Sequence, residues 1–381
     1  MGSTSTAGGD RIVRLLAGAR RSLLAVACLA LGAGSAAAQQ SRPVYVPVTF
    51  DAEGTPLRTS ACLLVSEIDF GPARWWEEGA TGKVPPAAQA LRGIFSAMRA
   101  RDRAALLAGS DAGQTKDAQR FNQQADLYFS QIRSLQLLEV PKAYEFDGEV
   151  LFFVKFKGAN ETAFVPMSFT KSGASYKFLP MRSDLVSYRM LRDWFSTAWG
   201  PGKSETPSYC SDAEVKRATH RVSPAASVPA EQRTSVLLFT GAPVDAPGAL
   251  APAVARVKAA EAELKAAAKQ GIPALIAVLP KSGASRLEKW AATATEPETD
   301  FYKKEVLEQE PFFLFDLSTV LVVFSKAGES VEVLYFAPAG GSGESVKWMN
   351  SARVTTLDAV FKTAMKADAA LEKPFSTLLA R

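Results

Sequence analysis

Apolar and turn residues recur along this chain in the same order about 169 positions apart. Ala105-Leu106-Leu107-Ala108 corresponds to Ala274-Leu275-Ile276-Ala277, Arg120-Phe121 to Lys289-Trp290, and Phe146-Asp147 to Phe315-Asp316, all at that offset. The apolar run Val150 to Val154 corresponds to Thr319 to Val323, and Lys157 to Lys326. Ser172-Gly173-Ala174-Ser175-Tyr176-Lys177-Phe178 corresponds to Ser342-Gly343-Glu344-Ser345-Val346-Lys347-Trp348 at 170. Leu191, Phe195, Thr197 and Ala198 correspond to Leu357, Phe361, Thr363 and Ala364 at 166. Collinear matches at a nearly fixed spacing point to one backbone pattern written twice. The period is too long for a solenoid, so two domains are expected.

The Pro-, Ser-, Ala- and Gly-rich stretch 200–232 reads as a linker between a first module, 39–199, and a second, 233–381. Each module opens with a strand, Ala61 to Ile68 and Ser235 to Thr240. A long helix follows, about Pro86 to Leu107 and Ala251 to Gln270, the latter stopped by Gly271. Second helices are expected at Asp117 to Ser134 and, with breaks, Ser285 to Gln309. Strands rich in Phe and Val come next: Val150 to Phe156, Thr162 to Phe169 and Ser175 to Leu179, then Val320 to Ser325, Val331 to Phe336 and Ser345 to Met349. Closing helices are expected at Leu185 to Thr197 and Thr356 to Ala370. The expected fold class is α+β, as two tandem related domains, each with helices packed on a curved antiparallel sheet.

Residues 1–38 have the order of an export signal. Arg11, Arg14, Arg20 and Arg21 precede a short apolar run, Leu23 to Leu31, and Ala36-Ala37-Ala38 offers a cleavage site before Gln39. Arg20-Arg21 leaves the general and twin-arginine routes both open. Removing this leader leaves 343 residues with 40 basic and 38 acidic side chains, a formal charge of +2. That balance does not favour nucleic acid as a partner. No later apolar stretch is long enough for an integral membrane segment, and the export signal makes the periplasm or the outside of the cell the expected location.

Two cysteines remain, Cys62 and Cys210, compatible with one disulfide or with two buried thiols. The single histidine, His220, lies in the linker stretch and reads as a solvated residue. With one histidine a multi-histidine zinc site is impossible, and a Ser-His-Asp arrangement would have to use His220. No catalytic residue, metal ligand or cofactor is therefore expected.

The segment Ile94-Phe95-Ser96-Ala97-Met98-Arg99-Ala100-Arg101-Asp102-Arg103-Ala104-Ala105-Leu106-Leu107, with the meander after it, resembles the opening of NTF2-like domains. The resemblance covers about 90 residues of the first module and is fainter in the second. It implies a curved sheet wrapped around a long helix, often with a cone-shaped pocket. The leading strand and closing helices depart from that pattern.

Other motifs carry little chemistry. Gly200-Pro201-Gly202-Lys203-Ser204 ends like a phosphate loop, but Thr197 stands where its first glycine should be. Ser168 and Lys171 have a hydrolase spacing, but on a strand they face opposite ways. Asp147 and Asp316 read as turn residues, with paired functional carboxylates as the alternative. Trp75-Trp76, in a turn-rich loop, are the candidate binding residues: adjacent tryptophans on regular structure cannot both face one core, so one can serve as an exposed anchor, the alternative being a loop that folds over its own domain and buries both. Trp194, Trp199, Trp290 and Trp348 fall on element patterns and read as core. The expected role is a non-catalytic binding or assembly protein whose partner is another envelope protein. The alternative is a small-molecule binder or acid/base enzyme with an NTF2-like pocket.

Produced in a Gram-negative host, the chain should be recovered from the periplasm with Gln39 at its N-terminus. N-terminal sequencing that finds residues 1–38 retained on periplasmic material would refute the cleavage site.

Overall fold

The computed structural model describes residues 41–52, 55–70, 84–134, 136–140, 142–157, 162–181, 183–198, 207–225, 227–328, 330–339 and 345–349. Trp75, Trp76, Trp199 and the expected helix Thr356 to Ala370 lie outside them. The fold is α+β. Its first half runs β1 (Ser41–Ala52), β2 (Thr55–Asp69), α1 (Pro86–Ala100), α2 (Arg103–Gly109), α3 (Ala118–Ser134), β3 (Gln136–Glu139), β4 (Lys142–Phe146), β5 (Glu149–Lys157), β6 (Thr162–Ser172), β7 (Ser175–Leu179) and α4 (Val186–Ala198). A connecting segment holds α5 (Asp212–Arg217) and β8 (His220–Val222). The second half runs β9 (Val236–Pro243), α6 (Ala251–Gln270), α7 (Ile272–Val278), α8 (Lys281–Ala291), α9 (Glu296–Glu308), β10 (Glu310–Asp316), β11 (Leu321–Ala327), β12 (Ser330–Ala339) and β13 (Ser345–Met349).

The strands pair in the order β13-β12-β11-β10-β9-β2-β4-β5-β6-β7, with β1 on β2, β3 on β5 and β8 on β9. Both halves run strand, helices and antiparallel meander, the first with β1, β3 and α4 in addition among the described residues. The halves meet where Cys62, Leu63 and Leu64 pair antiparallel with Leu238, Leu237 and Val236. β1 runs along β2 past both Cys62–Leu64 and Ser66–Ile68. A strand has only two edges, so β9 and β4, which pairs from Ser66 onward, must share the other one. β9 shows the same division, with β8 and β2 flanking its start and β10 pairing from Thr240. The two meanders therefore diverge from one short seam.

Alternation along the strands sends successive side chains to different cores. Tyr144, Phe146, Leu151 and Phe153 from the first meander join Phe313, Phe315, Val322, Phe324 and Tyr335 from the second in one shared core. α4 closes it with Trp194 and Phe195, whose ring stacks on Phe153 at 3.7 Å. The opposite faces are covered separately. Phe152, Phe156, Phe169 and Phe178 pack under α1–α3, and Leu314, Val323, Phe336 and Val346 under α6–α9.

Three sequence expectations change. The helix expected from Pro86 to Leu107 is two: Arg101 takes a left-handed conformation (φ 54°), and the Asp102 side chain caps α2 by accepting from the Ala105 amide at 2.9 Å. The expected linker 200–232 is not a free tether over its described part. Cys210 forms a disulfide with Cys62, and its amide donates to the Tyr45 carbonyl at 2.8 Å. The bridge spans 148 residues, worth about 5 kcal/mol in the chain-entropy treatment. His220 is half-buried in β8 rather than solvated, with its ring edge-on to Phe313 and Phe315 at 5.3 and 5.5 Å. Burial pushes its pKa down.

Gly241 in β9 allows this ring cluster to close. A Cβ there would lie 2.5 Å from the Phe315 ring and 2.9 Å from that of Phe313, both fully buried. Gly241→Ala should therefore destabilise the protein by about 1–3 kcal/mol, the usual penalty for overpacking. Urea unfolding measures it, and an unchanged midpoint would show that the rings have room to move.

Candidate functional site

A pocket of about 210 Å³ lies between α6, α9 and the outer face of β12 and β13. Its lining follows from two periodicities. Tyr302, Glu305, Val306 and Gln309 fall at helical spacing along and just past α9, and Glu261 and Leu264 are one turn apart on α6. Glu332, Leu334 and Phe336 are alternate residues of β12 and so share a face, with Trp348 beside them on β13. The interior is apolar, with polar groups entering from α9 and β12.

Gln309 is the most buried of these polar residues, at 8% exposure. Its Nε2 donates to Glu332 Oε2 at 2.9 Å, and its Oε1 has no hydrogen-bond partner among the described residues. Lys265 Nζ reaches Glu261 at 2.7 Å and the Gln309 carbonyl at 2.6 Å, so its charge is already engaged. Burial, and then the Glu332 charge, push the Glu305 carboxyl above its ordinary value. Burial pushes the Tyr302 hydroxyl up to about 12, with help from Glu305 and Glu332, so it stays protonated as a donor. An open hollow adjoins, sharing Tyr302 and Glu305 and walled by Trp290 and Phe301, the latter 61% exposed.

Sequence reasoning placed Trp290 and Trp348 in the core. Trp290 instead ends α8 at the surface, 5.3 Å from the Tyr302 ring, whereas Trp348 is half-buried, packs against the second-half core and lines the pocket. Trp194 is core. Glu261, Tyr302, Glu305, Gln309 and Glu332 were not singled out. Their signal was legible: carboxylates and an amide on the apolar stripe of a helix and on the inward face of a strand.

Two buried acid clusters lie in the first half. Glu67 is fully buried in β2 and is bound by Arg42 (2.7 Å), Lys142 (2.9 Å), Tyr144 (3.3 Å) and, closest, Tyr209. Burial would raise its pKa, but the bonds from Tyr209, Lys142 and Arg42 outweigh that and hold it low. Burial pushes the Tyr144 and Tyr209 hydroxyls strongly up. The cluster fastens Tyr209, next to the bridged Cys210, onto the sheet.

The second cluster surrounds the β4–β5 hairpin. Asp147 and Gly148 both have positive φ, as a two-residue hairpin turn of this kind requires. The turn expectation holds for Asp147, but its buried carboxylate also has a long-range task. It accepts from the Thr234 and Ser235 amides at 3.0 Å each, from Ser187 Oγ at 2.8 Å and from the Ser235 hydroxyl. Asp316 is a local turn residue, accepting from the Ser318 amide at 2.7 Å. Glu149 accepts from Ser183 Oγ at 2.7 Å, while its buried Oε2 has no partner among the described residues. No group of three His, Cys, Asp or Glu among the described residues could hold a metal ion, and no described helix is long and apolar enough to cross a membrane.

Burial raises the Glu149 carboxyl from 4.5 to about 7, aided by the Asp147, Asp184 and Asp111 charges and opposed by the Ser183 bond. Between those values the folded chain keeps a proton that the unfolded chain has released. Stability should therefore fall as pH rises from 5 to 8, by on the order of 3 kcal/mol from this group. Glu149→Gln removes that dependence, so its stability relative to wild type should increase over the same range. Chemical denaturation at pH 5 and 8 measures the difference, and a constant difference would refute the raised carboxyl.

No family model, curated protein or solved structure matches this chain, so its chemistry is read from these residues alone.

Proposed function

We propose that this is an exported, non-catalytic binding protein that holds a small molecule in the pocket between α6, α9 and β12–β13. The observation that carries the reading is an apolar cavity of about 210 Å³ with a few fixed polar groups at its wall, the usual composition of a small-molecule site. Export rests on the order of charge, apolar run and small residues in 1–38. The NTF2-like resemblance, which implies a pocket between sheet and helix, adds support, although the cavity lies in the half where that resemblance is fainter. In the first half the corresponding space is filled by Phe95, Phe152, Phe156 and Phe169. The repeated element order supports reading the halves as related modules.

A second reading, assembly with another envelope protein, is favoured by Phe301 and Trp290 at the surface beside the pocket. Exposed aromatics of this kind serve as interface anchors.

Leu334→Trp places a larger ring inside the cavity and tests the first reading. Among small molecules screened by thermal shift, at least one should raise the midpoint of the wild-type protein but not that of L334W. The stabilisation expected at 100 times Kd is about 2.7 kcal/mol. If every stabilising compound acts equally on both proteins, the pocket is not the site.

A further inference from the structure

We infer that the pocket takes a small organic ammonium ion, its charge toward Glu305 and Glu332 and its apolar body against Phe336 and Trp348. This rests on reading the cavity as a ligand site. Three observations point to such a ligand. First, Glu305 and Glu332 are half-buried like charges, and neither has an ion-pair partner among the described residues. Lys265 is held by Glu261 and the Gln309 carbonyl, Lys303 by Asp300 and Lys304 by Glu308. Second, Gln309 Nε2 donates to Glu332 Oε2 at 2.9 Å and so fixes that carboxylate at the cavity wall. Third, Tyr302, Phe336 and Trp348 give the cavity aromatic walls, whose faces attract cations.

Other ligand classes fit less well. An anion would add a third negative charge to a repelling pair. A bare metal ion would need carboxylates gathered at one point, which no three described acidic residues provide. A volume of about 210 Å³ is below the range for drug-sized ligands, so the apolar body is short.

Isothermal titration calorimetry on the purified chain tests this with three isosteric probes: 2-phenylethylammonium, 2-phenylethanol and phenylacetate. n-Hexylammonium serves as an aliphatic counterpart. At least one ammonium ion should bind saturably, the alcohol about tenfold more weakly or worse, and phenylacetate not at all. The double variant Glu305→Gln/Glu332→Gln should lower ammonium affinity by about tenfold or more while leaving that of the alcohol unchanged. Circular dichroism establishes that this variant is folded. Equal affinity for ammonium and alcohol, or full ammonium binding by the double variant, would overturn the charge assignment and leave the pocket reading standing. Absence of binding by all four probes, or binding that Leu334→Trp does not diminish, would overturn both.

Discussion

The architecture depends on the short antiparallel seam between Cys62–Leu64 and Val236–Leu238. Each strand in it has its far edge covered, by β1 in one case and β8 in the other. Each also hands the remainder of its inner edge to its own meander. The halves therefore cannot continue as one flat sheet and turn their inner faces on a shared core. Three residue pairs contribute little by themselves, since a net hydrogen bond is worth about 0.5–1.5 kcal/mol. Burial of Tyr144, Phe153, Phe313, Phe315 and Tyr335 in that core stabilises the arrangement more than the seam's own bonds do. The seam sets position, and the rings supply energy.

Two further connections reinforce that position with different chemistry. The Cys62–Cys210 bridge starts from the seam itself and holds the connecting segment against β1 and β2. Asp147 binds the two amides just ahead of β9. The buried acids differ in how they are compensated. Glu67 has two cations and two hydroxyls, and Asp147 has four neutral donors. Glu149 has one hydroxyl, which is why burial dominates its titration. In the second half Glu332 likewise has one neutral donor, Gln309 Nε2, and with Glu305 it stands at a cavity rather than in a closed core.

Period was the most legible property of the sequence. The expected helix Ala251 to Gln270 matches α6, and the strands Ser175 to Leu179 and Ser345 to Met349 match β7 and β13. The pairing of Ala105–Ala108 with Ala274–Ala277 falls on α2 and α7, each the second described helix of its half. β1 was missed because Pro43 and Pro47 interrupt its pattern; β1 tolerates both prolines because its outer edge needs no donors. β4 and β10 were missed because short segments bearing Lys, Glu or Pro look like turns until their partners are known. The connecting segment looked unstructured by composition, yet Cys210, Tyr209 and His220 each make contacts far away in sequence. The pocket was hidden for a related reason. Its walls come from positions 261 to 348, and an inward glutamate becomes conspicuous only when the opposing wall is known.

The shared edge of β2 also bears on biogenesis. A chain made from its N-terminus completes β2 about 170 residues before Val236–Leu238 exist to cover Cys62–Leu64. Throughout that interval the first half carries a bare stretch of apolar strand, the kind of template that recruits other nascent chains. Only the arrival of β9 retires it. A first half standing alone would thus have the Cys62–Leu64 edge of β2 uncovered.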